Sequence, residues 1–237
     1  MDISLVIPAY NEERWLGDTL KSVCENGKGK FKEVIVVDNA STDRTAEIAA
    51  SYPGVRVVRE DRKGTGYARE RGFREATGDI VGFMDADTLM SSTWADKVRR
   101  AFIRDQNLAC VSGPYYFYDM PAAFSMTYTA LWHIAIPLFY VISTFITAGN
   151  FAIRRSTLEK MGGFDTSITF HGDDADVGRR AARYGKVRPL WGLVLKSSGR
   201  RFHAFGTSRM LYRYLVNSLV GTFTTKPHYT EGYQEVR

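Results

Sequence analysis

Three apolar runs in the first 90 residues constrain the fold more than any other feature of the chain. Residues 3–7, 33–37 and 80–84 contain few polar positions and show little alternation, which is typical of strands buried on both faces of a parallel sheet. Each run ends on polar or acidic residues. Because ligands of open α/β sheets bind at the carboxyl ends of the strands, the pattern also predicts where a functional site lies.

Helical patterns separate these runs. Apolar residues recur at helical spacing between residues 16 and 24, and a short strand pattern lies at 55–58. Residues 66–76 are a further helix candidate, with Gly78 as the stop signal. Ser41 and Thr42 are typical N-terminal caps for a further helix that continues through Ala49. The order β-α-β-α-β-α-β predicts an α/β fold, an open and mostly parallel sheet with helices on both faces and right-handed crossovers.

Two carboxylates, Asp85 and Asp87, stand directly after the run 80–84. Carboxylates without thiols suit a hard divalent cation such as Mg²⁺ or Mn²⁺. Such an ion takes few protein ligands and shares its remaining positions with substrate phosphates and water. Asp also favours turns, so a simple turn is the alternative for this pair alone.

Length and composition bound the remaining choices. The 237 residues fit one α/β domain, 1–237, better than two. Two cysteines far apart in sequence favour a reducing, cytoplasmic compartment, and the N-terminus lacks the basic region of a secretory signal. The net charge of +6 suits a nucleotide diphosphate or an anionic membrane surface. We expect no nucleic-acid partner, because the basic residues form no stripe with interleaved aromatic residues.

Several segments, in order along the chain, resemble the family 2 glycosyltransferases, inverting enzymes with the GT-A fold. They are residues 6–12 (VIPAYNE), 36–43 (VVDNASTD), 85–87 (DAD), 149–155 (GNFAIRR), 162–165 (GGFD) and 172–180 (GDDADVGRR). The resemblance extends over residues 1–190. It implies a nucleotide-sugar-binding half, 1–90, and an acceptor half, 91–237.

This resemblance implies a metal-dependent transfer of a sugar, most simply a hexose, from a UDP- or GDP-sugar to a hydroxyl or phosphate acceptor that can be lipid-linked. It gives Asp87 the direct metal contact, lets Asp85 act through ribose or water, and makes Asp174 the general base. The family usually has Glu where this chain has Asp173. The donor would contact Pro8, Ala9, Tyr10, Glu12, Asp38, Arg69, Asp85 and Ala86.

Two basic segments add further candidates. The loop 62–69 (RKGTGYAR) is rich in glycine and basic residues, so its backbone can bend closely around phosphate, and Lys63 joins the donor contacts. Some GT-A enzymes take a third metal ligand, often His, beyond the acidic segment, and His203 occupies such a position. A solvated basic loop is the alternative for both Lys63 and His203.

Two apolar stretches, 131–148 and 210–220, follow the donor half. The first is near the lower length limit of a membrane span, but a span would put Asp85 and Asp174 on opposite sides of the bilayer. We therefore expect either core helices or surface helices that contact the inner face of the cell membrane beside a polyprenyl-linked acceptor. Phe139 and Leu215 are the positions where a charge would test membrane contact.

Two other classes of function remain open from the sequence. A nucleotidyltransferase could use a similar sheet and acidic metal site, but it would release pyrophosphate and would not need Asp174. A non-catalytic nucleotide- or carbohydrate-binding module is the other alternative. The acidic residues at both 85–87 and 173–174 argue against it.

Overall fold

The computed structural model describes residues 1–142, 146–168, 173–213 and 216, without the side chains of 135–142 and 173. The strands are β1 (Ile3–Ala9), β2 (Glu33–Asp38), β3 (Val55–Arg59), β4 (Ile80–Met84), β5 (Thr88–Leu89), β6 (Leu108–Ser112), β7 (Tyr115–Phe117), β8 (Asn150–Arg154), β9 (Lys186–Pro189) and β10 (Leu195–Ser197). The helices are α1 (Leu16–Asn26), α2 (Thr45–Ala50), α3 (Thr65–Glu75), α4 (Trp94–Arg104), α5 (Ala122–Ile142), α6 (Arg155–Met161), α7 (Asp173–Ala181) and α8 (Arg200–Phe205). Residues 207–213 are also helical.

The main sheet has seven strands in the order β3-β2-β1-β4-β8-β6-β9. Strands β3, β2, β1 and β4 are parallel, which confirms the predicted parallel half. Strand β8 runs antiparallel between β4 and β6. Because it runs in the opposite direction, its first residue, Asn150, pairs with Met84 and lies at the carboxyl edge of the parallel strands.

Helices cover both faces of this sheet, as predicted. One face packs against α1, α2 and α4 through a buried cluster that includes Leu16, Ala49 and Trp94. The other face packs against α3, α6 and α7 through a second cluster that includes Phe73 and Leu158. The central strands are therefore apolar on both sides, which explains why their sequences show almost no alternation.

Glu33 hydrogen-bonds to several neighbouring segments at the edge of the sheet opposite the carboxyl ends of the parallel strands. Its Oε1 accepts hydrogen bonds from Ser4 Oγ at 2.7 Å and from Thr77 N at 2.8 Å, and its Oε2 accepts one from Arg56 Nη2 at 3.0 Å. Burial by itself raises the pKa of Glu33, but the hydrogen bonds from Thr77, Ser4 and Arg56 outweigh it and lower the pKa to about 2. This carboxylate therefore stabilises the folded state in its ionised form.

A small second sheet, in the order β5-β10-β7, lies beside the carboxyl edge. Strand β5 begins immediately after Asp87, and its Thr88 pairs with Ser197 at the end of β10. The N–H of Ser198 then donates to the Asp87 carbonyl at 3.3 Å. This pairing places the start of α8 beside Asp87, although α8 begins some 110 residues further along the chain.

The first apolar stretch belongs to α5, which begins at Ala122 rather than near 131. Trp132 is buried, whereas Leu131 and Ile134 are 57% and 65% exposed. In the described part of the chain, no helix has both the length and the hydrophobicity that crossing a membrane requires. The Phe139 side chain, residues 143–145 and, in the second stretch, residues 214–215 and 217–220 lie outside the described residues.

Candidate active site at the carboxyl edge of the sheet

The carboxyl ends of β1, β2 and β4 meet at one edge, as the sequence predicts. Pro8 and Ala9 pair with Val37 and Asp38, so the predicted donor residues of the first two strands lie side by side. Asp38 is 2% exposed. Its Oδ1 accepts from the Ser41 N–H at 3.2 Å, and its Oδ2 accepts from Arg59 at 3.3 Å.

Hydrogen bonds join the loop after β1 to the loop after β2. Asn11, in the left-handed region at φ 51°, donates its backbone N–H to Ser41 Oγ at 3.0 Å, and its Oδ1 accepts from the Thr42 N–H at 2.7 Å. The prediction that Ser41 and Thr42 cap α2 is therefore wrong. Asp43 instead accepts from the first N–H of the helix, that of Thr45, at 3.0 Å, because the two upstream side chains are engaged with the neighbouring loop.

Asn39 organises the glycine-rich loop, and the sequence analysis missed it. Its Nδ2 donates to the carbonyls of Glu60 and Arg62 at 3.1 and 2.7 Å, while its Oδ1 accepts from the Gly64 N–H at 2.8 Å. This amide therefore fixes the backbone around Lys63. The signal that could have found it is its position directly after a strand-ending carboxylate.

Tyr10 and Lys63 meet across the edge. Lys63 Nζ donates to Tyr10 Oη at 2.8 Å and lies 4.9 Å from the centre of its ring. Tyr67 receives the Arg62 guanidinium over its ring in the same loop, at 4.6 Å. The two predicted donor contacts, Tyr10 and Lys63, are thus brought together.

Groups from two other segments of the chain lie against the Asp85 side chain. Its Oδ2 accepts from Tyr115 Oη at 3.1 Å, and its Oδ1 lies 3.8 Å from Arg69 Nη2. The Asp85 side chain remains 42% exposed, so it can reach a ligand. Burial, together with the charges of Asp85 and Asp87, raises the pKa of Tyr115 and keeps its proton in place. Sequence reasoning missed Tyr115 because β7 is far from the acidic motif along the chain.

Asp87 is buried and paired with a cation. Arg200 Nε lies 2.9 Å from Asp87 Oδ2, and the same guanidinium donates to both oxygens of Glu12, at 2.8 and 2.5 Å. Burial raises the pKa of Asp87 to about 7, with the charge of Arg200 acting in the opposite direction and those of Asp85 and Glu12 reinforcing it. Burial also raises the pKa of Glu12 against the hydrogen bond from Arg200.

Ala86, a predicted donor contact, is 4% exposed. Its carbonyl accepts from Thr19 Oγ1 at 2.7 Å. Its methyl group belongs to the core cluster under α1, so the structure gives Ala86 a packing role between the two carboxylates.

His203 is exposed, and its Nε2 lies 3.0 Å from the Asp119 carbonyl. Across the described ranges, no three His, Cys, Asp or Glu side chains form a group that could hold a metal ion. The residue that α8 brings to Asp87 is therefore Arg200, and His203 has a backbone partner.

Asp174 lies in the first turn of α7, and its Oδ1 accepts from the Ala175 N–H at 2.8 Å. Burial raises its pKa, while that hydrogen bond and the charge of Arg69 act in the opposite direction. The Asp173 side chain lies outside the description. Asp176 binds Arg179 and Arg180 at 2.7 and 3.0 Å, which gives it a structural partnership within the helix.

Arg69 links the two acidic segments. It is 3% exposed, its Nη2 donates to the Ala148 carbonyl at 3.1 Å, and it interacts electrostatically with both Asp85 and Asp174. The acidic segments 85–87 and 173–176 thus have a physical link. That link is a buried guanidinium.

The described site therefore combines the hydrogen-bonded loops after β1 and β2, two carboxylates after β4 and a third acidic group on a separate helix. A scan of family models matches residues 4–162 to the one described as Glycosyl transferase family 2. The chain belongs to this family.

Relatives agree with that membership. A dolichol-phosphate mannosyltransferase of Pyrococcus furiosus is 40% identical over 92 residues, which are 37% of this chain and 26% of the relative. A mannosyltransferase of Pyrobaculum calidifontis, solved in complex with GDP-mannose and Mn²⁺, superposes with a TM-score of 0.67 at 25% identity, over 92% of this chain and 63% of that one.

A third comparison shows the fold alone. Glucosyl-3-phosphoglycerate synthase of Mycobacterium tuberculosis, in complex with Mn²⁺, UDP-glucose and phosphoglyceric acid, gives a TM-score of 0.66 at 22% identity. The match covers 93% of this chain and 79% of that structure. These neighbours confirm the predicted GT-A-like sheet. The match to the dolichol-phosphate mannosyltransferase, by contrast, spans about a quarter of that relative's length.

Proposed function

We propose that this glycosyltransferase moves a hexose, with inversion, from a UDP- or GDP-sugar to a hydroxyl or phosphate acceptor, and that it needs Mg²⁺ or Mn²⁺. The observation that supports the proposal is that β1, β2 and β4 end at one edge of the sheet, where Asp85 lies 3.8 Å from the buried guanidinium of Arg69. The charge of Asp174, an acid in the other half of the chain, also acts on that guanidinium. In this scheme residues 1–90 bind the donor and residues 91–237 present the acceptor.

The donor would lie along the loops after β1, β2 and β4. Asp38 would accept from a base N–H, and the Tyr10 ring would face the base. Lys63, held over Tyr10, would meet phosphate. Pro8 and Ala9 would supply the floor of the site, since both belong to the end of β1. Glu12 would border the ribose and diphosphate.

The residues at the edge fit a hard divalent ion. Asp87 is a buried carboxylate that already has a cation, Arg200, at 2.9 Å, and Asp85 is a second carboxylate with one exposed side. Few protein ligands suffice for Mg²⁺ when phosphates complete its shell. A bound ion would stabilise the charge that develops on the departing nucleoside diphosphate. A metal contact from His203 stays a prediction.

Asp174 would act as the general base. Its raised pKa favours proton transfer from an acceptor hydroxyl near neutral pH. As the acceptor oxygen attacks the anomeric carbon, the bond to the diphosphate breaks on the opposite face, which inverts the configuration. The acceptor proton passes to Asp174 Oδ2 or Oδ1, and the electron pair leaves with the nucleoside diphosphate.

A panel of nucleotide sugars tests this function. Each UDP- and GDP-sugar is incubated with Mn²⁺ or Mg²⁺, and hydrolysis, thermal shift and the released nucleotide are measured. We expect one sugar class to release a nucleoside diphosphate, and Asp87→Ala to lose activity with its fold intact. Full turnover in excess chelator, or release of pyrophosphate, would refute the proposal.

We further propose that the acceptor is lipid-linked and that the protein works on the cytoplasmic, anionic face of the cell membrane. Leu131, Ile134 and Trp191 are 57%, 65% and 58% exposed. Trp191, which follows β9, stacks on His133 of α5, the helix that carries Leu131 and Ile134, with ring centres 5.0 Å apart. We call these three residues the apolar patch. The helical residues 207–213 add Leu211 and Tyr212, 40% and 58% exposed.

Liposomes test this second proposal. Vesicles with anionic lipid should bind the protein at low salt and release it at high salt, since each well-placed Lys or Arg contributes about 1 kcal/mol near such a surface. Ile134→Glu and Trp191→Glu should reduce binding. Ile103→Glu is the matched control, because Ile103 is 52% exposed on α4, outside the apolar patch. Equal binding by all variants would show that the apolar patch does not face lipid.

A further inference from the structure

One guanidinium holds two buried carboxylates that come from distant parts of the chain. Arg200 donates through Nη1 and Nη2 to Glu12, 188 positions away, and through Nε it pairs with Asp87. The three side chains are only 15%, 12% and 11% exposed. All three nitrogens of the Arg200 guanidinium therefore interact with carboxylates of the candidate site.

The position of Arg200 conflicts with a metal ion on Asp87. A Mg²⁺-sized ion binds carboxylate oxygen at about 2.1 Å, whereas Arg200 Nε lies 2.9 Å from Asp87 Oδ2. An ion on that oxygen would stand against the guanidinium, and two cations so close in a buried site repel strongly. Asp87 can offer Oδ1 to an ion while Oδ2 holds Arg200, but the guanidinium charge beside it would lower the affinity for that ion.

We infer that Arg200 is an internal counter-ion of Asp87 and Glu12 whose charge opposes the binding of a metal ion at Asp87. This inference rests on the proposed metal site at Asp85 and Asp87. It makes Arg200 a positioning residue: it keeps Glu12 and Asp87 compensated before the ligand arrives and sets the affinity for the metal by competing with it.

The backbone at the start of α8 is anchored on both sides of Arg200. The Gly199 N–H is held by Asp119 Oδ1 at 2.5 Å. Phe202 is 3% exposed and packs against Phe117 and Phe124, with ring centres 5.0 and 5.3 Å apart. Both anchors flank Arg200 closely, so loss of the Arg200 side chain should leave the start of α8 in place.

Mn²⁺ alone, without nucleotide, is the probe. Free Mn²⁺ is measured by electron paramagnetic resonance during titration of the wild-type protein, Arg200→Gln and Arg209→Gln. We expect Arg200→Gln to bind Mn²⁺ about tenfold more tightly or better, because the competing charge is gone. Arg209→Gln removes the same charge from an exposed position and should stay within about twofold of wild type.

Thermal unfolding supplies a second readout. Without metal, Arg200→Gln should melt below wild type, since two buried carboxylates lose their partner, and Mn²⁺ should raise its melting temperature more than it raises that of wild type. If Arg200→Gln does not fold, Arg200→Met is used. It also removes the positive charge, so it should also bind Mn²⁺ more tightly than wild type.

Unchanged or weaker Mn²⁺ binding by the Arg200 variant would overturn the inference. Binding to the variant but not to wild type would be its strongest support. Asp87→Asn separates the two proposals: if wild type and Asp87→Asn bind Mn²⁺ equally, the proposed metal site itself is wrong. If Asp87→Asn alone loses binding while Arg200→Gln equals wild type, the site stands and the counter-ion role fails.

Discussion

Gly149 makes room for the pair formed by Asp85 and Tyr115, and Gly149→Ala should damage activity far more than stability. A methyl group at Gly149 would fall on Asp85 Oδ2 and Tyr115 Oη, well inside the 3.0 Å that real Cβ contacts essentially never breach. Ordinary contact begins at 3.4 Å, so the carboxylate would have to retreat by more than about 1 Å. The substitution thus moves a proposed donor ligand without removing it.

Two magnitudes follow from this displacement. Asp85 is 42% exposed and can turn to water, so the stability cost falls on the Tyr115 hydroxyl, which loses its acceptor. That cost is about 1–3 kcal/mol. A misplacement of about 1 Å at a reacting site can reduce the rate by about 10²-fold. We therefore expect kcat/KM to fall by roughly that factor.

The assay is steady-state transfer or donor hydrolysis, with urea unfolding of the same preparations. Gly17→Ala is the control, because its methyl group would meet only Tyr52 Oη at 3.8 Å and it lies within α1. Tyr115→Phe removes the hydroxyl without adding bulk and should lose less activity than Gly149→Ala. Wild-type kcat/KM in Gly149→Ala would refute the reasoning.

Three further predictions concern other parts of the molecule. Asp174→Asn should lower turnover by about 10²–10⁴-fold with donor affinity by calorimetry nearly unchanged; normal turnover would move the base elsewhere. Asn39→Ala should destabilise the protein by about 1–3 kcal/mol and weaken donor binding, because the loop that carries Lys63 loses its three hydrogen bonds; unchanged calorimetry would contradict this. The pKa of Glu33 is lowered to about 2, so its stabilisation is present above the unfolded value of 4.5 and is lost as the pH falls towards 2. Glu33→Gln should therefore reduce the free energy of unfolding by up to about 3 kcal/mol at pH 7 and by much less at pH 3, whereas the exposed Glu47→Gln should show no such difference.

The amino-acid sequence by itself determined the strands of the donor half and the edge at which they end. Strands β1, β2 and β4 are each specified by four or five consecutive apolar residues, a signal contained within the strand itself. Once those strands are parallel neighbours, their polar ends must share one edge. Asp38 and Asp85 therefore could be assigned to one site before any tertiary contact was known.

Local sequence was less informative where a side chain had two partners to choose from. Ser41 and Thr42 have the chemistry of helix caps, but the loop after β1 presents Asn11 to them at hydrogen-bonding distance. Asp43 instead accepts from the first N–H of the helix. The choice depends on the pairing of β1 with β2, which brings the two loops together.

The immediate surroundings of Asp85 and Asp87 were decided only by the tertiary structure. Tyr115 reaches Asp85 from 30 residues away, and Arg200 reaches Glu12 from 188. Neither contact has a periodic or motif signal, because each depends on the small sheet that sets β10 between β5 and β7. The sequence specifies which groups can do chemistry, whereas long-range strand pairing decides which cation and which hydroxyl stand beside them.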